Sequence, residues 1–334
     1  MARGGAGEHD RPMRAVVVSE PGGPEVLRVV DREAPTPGPR EVVVEVAAAG
    51  VNFMDIYSRE GRPPYGRRTP FVLGSEGAGT VRAVGGEVSE IRVGDVVAWT
   101  GVPGSYAEQV AVPADRAVPV PSGVGVATAA AVMLQGCTAH YLASSTWPVS
   151  GGDVAVVHAA AGGVGLLLTQ IVRARGGVVV ATTSGGGKAD LARDAGAQHV
   201  VGYGDFVQVV REVTDGAGAH VVYDGVGQAT FDDGLKALRR RGLMVLYGSA
   251  SGPVPPVDLL RLMTGGSLFV TRPTLGDHIV SRDELIARTD ELFGWIADGT
   301  VTVRVGGTYR FADAAAAHED LAGRRTTGKL LLTP

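Results

Sequence analysis

The stretch from residue 153 to residue 175, DVAVVHAAAGGVGLLLTQIVRAR, decides the fold of this 334-residue chain. Residues 153–158 form an apolar run rich in valine, which predicts a buried strand. Apolar residues then recur at helical spacing over residues 164–175, which predicts a helix. Small residues fill the space between these two elements. The stretch therefore predicts a strand, a tight turn and a helix in immediate succession.

The turn has the spacing of a dinucleotide fingerprint, with Ala160 in the first glycine position, followed by Gly162 and Gly165. Gly162 would let the backbone approach a pyrophosphate, and Gly165 would let the helix pack close to the strand. Free N–H groups at the helix N-terminus would attract the phosphates. The alternative is a tight turn that merely needs glycine. The position between a predicted strand and a predicted helix favours a bound dinucleotide.

Outward from this turn, residues 127–270 keep alternating between strand and helix patterns. Such alternation predicts a parallel sheet with helices on both faces, the doubly wound arrangement. The predicted strands are residues 153–158, 178–182, 220–224, 243–247 and 268–270, and the predicted helices include residues 164–175 and 188–195.

Residues 14–121 have a different character, because short strand-like runs alternate there with glycine and proline. This pattern predicts a barrel-like all-β unit. Near the C-terminus, Ser281 and Glu284 have the spacing of a capping box, which predicts a helix that ends before Gly299. Residues 328–333 read as a closing strand, and we expect this C-terminal piece to rejoin the first unit. The strand-like runs are residues 15–18, 41–47, 79–84, 95–99 and 107–112.

Composition excludes several classes of protein. The net charge is −4, so no basic excess favours nucleic acid as a partner. Cys137 is the only cysteine, so neither an intrachain disulfide nor a cysteine-based zinc site can form. Residues 154–172 are apolar but contain His158 and three glycines, so we expect no membrane span there. A cytoplasmic protein is the simplest interpretation.

The residues after the second predicted strand indicate which dinucleotide binds. An NAD site usually has Asp or Glu there, to bind the ribose 2′-hydroxyl. Residues 181–185 read ATTSG and contain no acid. Ser184 and Lys188, one of only three lysines in the chain, suit a 2′-phosphate, so NADP(H) is the predicted cofactor. The alternative for Lys188 is a solvated helix lysine.

Seven motifs together resemble the zinc-independent quinone oxidoreductases, the zeta-crystallin-like branch of the medium-chain dehydrogenase/reductase superfamily. The resemblance covers nearly all of residues 13–334. It implies an α/β protein in which a Rossmann domain (a doubly wound parallel sheet) is inserted into a GroES-like domain of β-barrel type. The motifs are residues 50–55 (GVNFMD), 74–79 (GSEGAG), 94–97 (GDVV), 159–165 (AAAGGVG), 222–227 (VYDGVG), 240–245 (RRGLMV) and 270–273 (VTRP).

The resemblance also sets expected boundaries and roles. We predict a disordered extension over residues 1–12, the GroES-like domain over residues 13–126 and 273–334, and the Rossmann domain over residues 127–272. Tyr57 and Asn52 are the expected catalytic residues. The residues expected to bind cofactor are Asn52 and Thr138 at the nicotinamide end; Ala161, Gly162, Gly163, Val164 and Gly165 at the pyrophosphate; Ser184, Lys188 and Tyr203 at the 2′-phosphate; and Val226, Ser249, Phe269, Val270 and Lys329 along the remaining groove.

The resemblance also implies that no metal is bound. Zinc-dependent relatives hold a catalytic metal with Cys and His, and the matching positions here are Asn52 and Ser75. The cysteine-rich loop for structural zinc is also missing, which agrees with the cysteine count.

Several of these roles have structural alternatives. Phe269 and Val270 could be strand core, Asn52 could cap a strand end, and Tyr203 could be a surface aromatic. Tyr57 could be a packed side chain with its hydroxyl at the surface. His140 is expected to pack rather than catalyse, and Cys137 to be a small buried hydrophobe.

The implied activity is NADPH-dependent reduction of quinones by direct hydride transfer, without metal or flavin. A hydroquinone oxygen is weakly basic, so water can protonate it and a dedicated acid is optional. The alternatives are an enoyl or 2-enone reductase on the same scaffold and a nonenzymatic NADPH-binding protein. The resemblance also implies a homodimer that pairs the edge strand at residues 267–271, in which Leu268→Pro would remove a ladder donor.

Overall fold

The chain divides into two compact units, seen in a computed structural model that describes residues 12–334. One unit comprises the residues up to Leu134 together with Val305–Pro334, and the other is Gln135–Arg304. The C-terminal piece therefore rejoins the first unit, as expected. The junctions lie at 134/135 and 304/305, whereas the sequence placed them at 126/127 and 272/273. All but the last residue of the predicted N-terminal extension lies outside the described residues.

The first unit is rich in strands, as the glycine and proline spacing indicates. Every second residue of Gln109–Pro113 is buried, as in a strand with one covered face, whereas most of Glu41–Val51 is buried. Its elements up to the junction are β1 (Met13–Val18), β2 (Leu27–Arg32), β3 (Glu41–Val51), α1 (Phe53–Arg59), β4 (Phe71–Val72), β5 (Glu76–Val84), β6 (Val96–Thr100), β7 (Gln109–Pro113), β8 (Val118–Pro119) and α2 (Val126–Tyr141), which runs across the junction.

The second unit alternates strands and helices. Its elements are β9 (Val154–Val157), α3 (Gly163–Ala174), β10 (Val178–Thr182), α4 (Gly187–Asp194), β11 (His199–Val201), α5 (Phe206–Val213), β12 (Ala219–Asp224), α6 (Phe231–Ala237), β13 (Leu238–Leu246), α7 (Leu260–Thr264), β14 (Phe269–Thr271) and α8 (Arg282–Ala297). The first unit is completed by β15 (Val305–Arg310), α9 (Ala314–Ala322) and β16 (Lys329–Thr333). Short turns of 3-10 or π helix lie at Pro24–Val26, Leu142–Thr146, Leu275–His278 and Phe311–Asp313.

Two sheets form the described part of the first unit. The larger runs β15-β16-β3-β5-β6-β8, with β7 also paired to β3, and the smaller runs β2-β1-β4. Strand β16 therefore pairs with β3 although nearly 280 residues separate them along the chain. The core contains Trp99 and Tyr106, both fully buried. This pairing of distant strands brings side chains from both ends of the unit together.

The second unit holds a six-stranded parallel sheet in the order β11-β10-β9-β12-β13-β14. This is the Rossmann order, in which the chain reverses direction across the sheet after its first three strands. The carboxyl ends of parallel strands meet at one edge of the sheet, so the loops after β9, β10, β11, β12 and β13 lie at that edge. The fold class expected from the resemblance is confirmed.

Candidate functional site

The turn after β9 has the geometry that its glycines predict. Gly162 is the N-cap residue of α3 and has an extended backbone. A Cβ at position 165 would stand 2.7 Å from the Cα of Ala160, and one at position 163 would overlap the Gln135 amide. Since Gly162 has no side chain, it caps none of the first-turn N–H groups of α3. The turn therefore presents N–H groups and a helix N-terminus at the carboxyl edge of the sheet.

A cavity of about 520 Å³ opens at the carboxyl ends of β10 and β11. Ser184 and Tyr203, both predicted to surround the 2′-phosphate, line it, whereas Lys188 is half-buried on the first turn of α4 and does not. Arg193 also lines the cavity, and sequence reasoning missed it. Its spacing could have indicated it, because Arg193 comes four residues after Ala189 and so lies on the same face of α4. The lining residues are Thr183, Ser184, Gly185, Gly186, Ala189, Arg193, Val200, Val201, Gly202 and Tyr203.

Beside this cavity, His158 joins the ends of β9 and β10. Its Nδ1 lies 2.8 Å from the Thr182 hydroxyl, and its ring stacks on that of Tyr203 with 6.0 Å between the ring centroids. The ring is fully buried, and within the described residues its Nε2 has no hydrogen-bond partner. Burial lowers the pKa of His158 to about 4. The imidazole is therefore neutral at physiological pH.

The loops after β12 and β13 hold the next two predicted cofactor residues. Asp224, buried at the end of β12, accepts hydrogen bonds from the N–H of Val226 at 2.6 Å and from the N–H of Gly227 at 2.9 Å. A Cβ at position 227 would lie 3.1 Å from the Cα of Ser249. Val226 and Ser249 are thus in adjacent loops. Asp224 fixes the shape of the first loop, a role the sequence analysis did not assign.

Phe269 and Val270 lie on β14, the edge strand of the parallel sheet. Their exposed fractions are 58% and 38%, so the strand-core alternative is wrong for this unit. Leu268 precedes the strand, is buried, and donates its N–H to the Leu262 carbonyl at 2.9 Å. The expectation that Leu268→Pro would remove an edge ladder donor is therefore wrong, because that donor is used inside the unit.

In the first unit, Asn52 belongs to a buried polar cluster. Its Oδ1 accepts a hydrogen bond from the Lys329 ammonium at 2.8 Å, and its Nδ2 donates to the Glu76 carboxylate at 2.7 Å. Lys329 and Glu76 also form an ion pair with each other. Asn52 is the N-cap residue of α1, and its N–H donates to Asp55 at 2.9 Å. It begins a helix rather than capping a strand end.

A second buried cluster continues from Asp55. The Tyr106 hydroxyl donates to Asp55 at 3.1 Å and lies 3.3 Å from His318 Nε2, while Arg59 Nη1 lies 3.1 Å from His318 Nδ1. Burial raises the pKa of Asp55 to about 7, and burial with the neighbouring Arg59 lowers the pKa of His318 to about 3. Sequence reasoning missed this cluster, since His318 is remote from the other members along the chain.

Tyr57 lies half-buried on α1. The centroid of its ring lies 5.5 Å from that of Tyr65 and 6.4 Å from that of Phe53. The Arg62 guanidinium lies 5.4 Å from the same Tyr57 centroid. No other residue in the described part of the chain hydrogen-bonds its hydroxyl. The ring is therefore held while the phenol keeps its hydrogen-bonding capacity.

The positions that resemble a zinc site hold no metal-binding group of side chains. Ser75 is buried beside Glu76, and its hydroxyl has no hydrogen-bond partner among residues 12–334. Over the same residues, no group of three His, Cys, Asp or Glu side chains is arranged to hold a metal ion. No helix there is long and apolar enough to span a membrane.

Helix α2 places the remaining candidates. Thr138 and Cys137 are buried, and Cys137 is fully so, as a small hydrophobe should be. His140 is buried, hydrogen-bonds Glu291, and lies 3.0 Å from Arg288 Nη1. Burial lowers its pKa. Its ring nitrogens are thus both engaged within the unit, which agrees with a structural role.

Comparison with known proteins identifies both units. Residues 38–122 match the alcohol dehydrogenase GroES-like domain, and residues 163–289 match the zinc-binding dehydrogenase domain. A quinone oxidoreductase of Pseudomonas aeruginosa is 46% identical, with 94% of this chain and 97% of that protein aligned. A 2-haloacrylate reductase of a Burkholderia species is 37% identical over 96% of this chain and 98% of that protein.

Solved structures of similar proteins support the same relationship. A mycobacterial protein complexed with NADPH superposes with a TM-score of 0.93 at 47% identity, covering 96% of this chain and all of that one. Sequence identity and fold similarity thus extend over nearly the whole described chain. The chain belongs to the zeta-crystallin-like quinone oxidoreductase family of the medium-chain dehydrogenase/reductase superfamily.

Proposed function

We propose that this protein uses NADPH to reduce quinones. The observation that carries the proposal is the glycine turn before α3, which presents uncapped N–H groups beside a cavity lined by Ser184 and Tyr203 without an acidic residue. A pyrophosphate fits the first feature and a 2′-phosphate fits the second. The P. aeruginosa relative is a quinone oxidoreductase, and the mycobacterial relative is complexed with NADPH.

We propose the following roles for individual cofactor residues. Ala161, Gly162, Gly163, Val164 and Gly165 would hold the pyrophosphate. Ser184, Tyr203 and Arg193 would surround the 2′-phosphate from the cavity walls, and Lys188 would reach it from the first turn of α4. Val226 and Ser249 would contact the cofactor from the loops after β12 and β13, and Thr138 from α2.

Asn52 and Tyr57 are the residues of the first unit that we assign to the reaction. When bound, NADPH supplies a hydride, and water can supply the proton that a quinone oxygen needs. The Tyr57 phenol can donate a hydrogen bond to the substrate oxygen, and its ring contacts orient it for that task. The protein then acts chiefly by positioning and by excluding water.

A second candidate substrate class is an activated alkene. One relative, 37% identical to this chain, is named 2-haloacrylate reductase, and a 2-haloacrylate is an activated alkene. Both reactions would use the same reductant on this fold, and substrate pockets on one fold vary widely.

We also propose that the protein is a homodimer. Strand β14 is an edge strand with two exposed apolar side chains, Phe269 and Val270, which is an aggregation liability if left uncovered. A second copy related by a twofold axis would pair with this strand and cover it. Leu259, Leu260 and Met263, in and next to α7, are also exposed apolar side chains of this unit.

Steady-state oxidation of NADPH against a matched panel tests the function. The panel contains benzoquinones, naphthoquinones, 2-enones and 2-haloacrylates, each also assayed with NADH. We expect the highest kcat/KM for a quinone with NADPH. Faster turnover of an enone or a haloacrylate would replace the substrate class, and absence of NADPH binding would reject the whole assignment.

A further inference from the structure

Three neighbouring strands of the first unit bring Asn52, Glu76 and Lys329 to one edge of the sheet. Strand β3 is antiparallel to both β16 and β5, with Leu330 opposite Val51 and Gly77 opposite Ala49. The end of β3 therefore meets the starts of the other two strands. A Cβ at Gly50 would lie 2.6 Å from Lys329 Cε, so glycine is needed there to leave room. The local backbone is built around this cluster.

The hydrogen bonds of the cluster fix the Asn52 amide in one orientation. The ammonium of Lys329 can only donate, so the atom that faces it must be the Asn52 carbonyl oxygen. The carboxylate of Glu76 can only accept, so it must face the amide nitrogen. The other Glu76 oxygen accepts from the Leu134 N–H at 2.7 Å, which holds the carboxylate itself.

Lys329 has little surface with which to bind a ligand directly. Its side chain is 1% exposed and that of Glu76 is 0% exposed, and the two are ion-paired. A buried pair of this kind contributes little net stability, because desolvation of both charges offsets their attraction. Its more specific effect here is on the amide that both partners contact.

We propose that the Glu76–Lys329 ion pair is a positioning device for the Asn52 amide and that Lys329 does not itself bind the cofactor. The proposal rests on the proposed function in one respect, namely that Asn52 acts at the nicotinamide end. Lys329 was expected to line the cofactor groove, and its burial against Asn52 gives it a different role. The pair would hold the amide oxygen and nitrogen in place before any ligand arrives.

The chain offers a direct probe, because Asn52 is its only asparagine. Protein labelled with 15N-asparagine should give one side-chain NH2 pair in a two-dimensional NMR spectrum. In the double variant Glu76→Gln/Lys329→Met, which removes both charges together, we expect this pair of signals to move and broaden. The double variant Arg14→Gln/Glu108→Gln removes an exposed ion pair of the same unit and should leave the signals unchanged.

A mutant cycle separates positioning from direct binding. In the Glu76→Gln/Lys329→Met variant we expect kcat to fall by up to about 100-fold. In an Asn52→Ala background, the same two substitutions should cause almost no further loss. The NADPH dissociation constant, measured by nicotinamide fluorescence without turnover, should stay within about 3-fold through the two substitutions, since it does not depend on Lys329.

Two results would overturn the proposal. One is an Asn52 signal that does not move in the Glu76→Gln/Lys329→Met variant. The other is a loss of NADPH affinity that adds to the effect of Asn52→Ala, which would mean that Lys329 contacts the cofactor. The single variant Lys329→Met leaves the buried Glu76 carboxylate unpaired and can unfold for that reason alone. The test therefore uses the double variant, which removes both charges. If wild-type protein turns over no substrate of the panel, the NMR and binding results still report on the pair.

Discussion

The Cα atoms of Gly165 and Ala160 approach so closely that a Cβ on residue 165 would stand 2.7 Å from Ala160 Cα. The atom it would meet is backbone, so no side-chain rotation can relieve the overlap. The first turn of α3 and the turn that follows β9 are therefore held at a separation that only glycine permits.

Gly165→Ala should consequently displace the turn that presents N–H groups to the pyrophosphate. We expect a loss of roughly 1–3 kcal/mol in the free energy of unfolding, as for other overpacked sites. NADPH affinity should fall by at least about 10-fold, measured by fluorescence titration. Gly294→Ala is the matched control, since a Cβ there meets nothing within 4 Å in the last turn of α8. That variant should gain stability and bind NADPH normally; equal behaviour of the two variants would contradict the close-approach argument.

Lys188→Ala tests the choice between NADPH and NADH. A charged hydrogen bond to phosphate contributes about 1.5–3 kcal/mol, so the NADPH dissociation constant should rise roughly 10- to 150-fold while that for NADH stays nearly constant. Lys236→Ala is the control, because that exposed lysine pairs with Asp233 on α6. Equal loss for both dinucleotides would remove the 2′-phosphate role of Lys188 and leave Arg193 as the cation to test.

The residues at the positions that resemble a zinc site predict a metal-free enzyme. Asn52 and Ser75 replace strong zinc ligands, and Cys137 is the only cysteine. Activity should persist after dialysis against a chelator, and elemental analysis should find less than one zinc per chain. Stoichiometric zinc, with activity lost on its removal and regained on its return, would show this prediction to be wrong.

Acid stability should depend on His158. Its pKa is about 4 in the folded protein, below the ordinary value of 6.5, so the unfolded chain binds more protons between these two values. The stability contribution of the neutral ring is complete above pH 6.5 and is lost as the pH falls to about 4. The loss is on the order of 3 kcal/mol. In His158→Asn, which can keep the bond to Thr182, the melting temperature should fall less steeply between pH 6.5 and 4. A slope equal to that of the wild type would assign the acid sensitivity to other groups, such as His318.

The exposed edge strand predicts the oligomeric state. Val270→Lys places a charge on β14, and twofold pairing would bring two such charges together, so the variant should sediment as a monomer. Val93→Lys changes a valine that is even more exposed, in the first unit, and should leave the sedimentation coefficient unchanged. A wild-type protein that sediments as a monomer at micromolar concentration would refute the dimer.

Local patterns made the Rossmann unit predictable. The strand, turn and helix around Gly162 are contiguous in the chain, and the capping box at Ser281 opens α8 as its spacing indicated, with the helix ending before Gly299. Both depend on residues only a few positions apart. The parallel sheet could be predicted because the same strand–helix unit repeats along the chain, whereas its strand order is seen in the structure.

Elements without a local signal were missed. Strand β4 has only two residues, and β11 has only three. Strand β13 was predicted over residues 243–247, but it begins earlier, at Leu238, in an arginine-rich run. The two buried polar clusters of the first unit could not be predicted from the sequence for a related reason. Asn52 meets Lys329 and Asp55 lies near His318 only because distant strands and helices pack together, and no spacing within a short window encodes that contact.

The central position of β16 has a consequence for how the chain folds during synthesis. Strand β16 fills the place between β15 and β3, yet it is made long after β3, β5 and β8. At about 5–20 residues per second, the roughly 200 residues from β8 to β16 take on the order of 10–40 s to emerge. The second unit, being contiguous, can fold in that interval. Throughout it, residues 49–51 of β3 lack their partner strand and Glu76 lacks Lys329 beside it, so the nascent chain keeps part of this sheet unpaired until Lys329 leaves the ribosome.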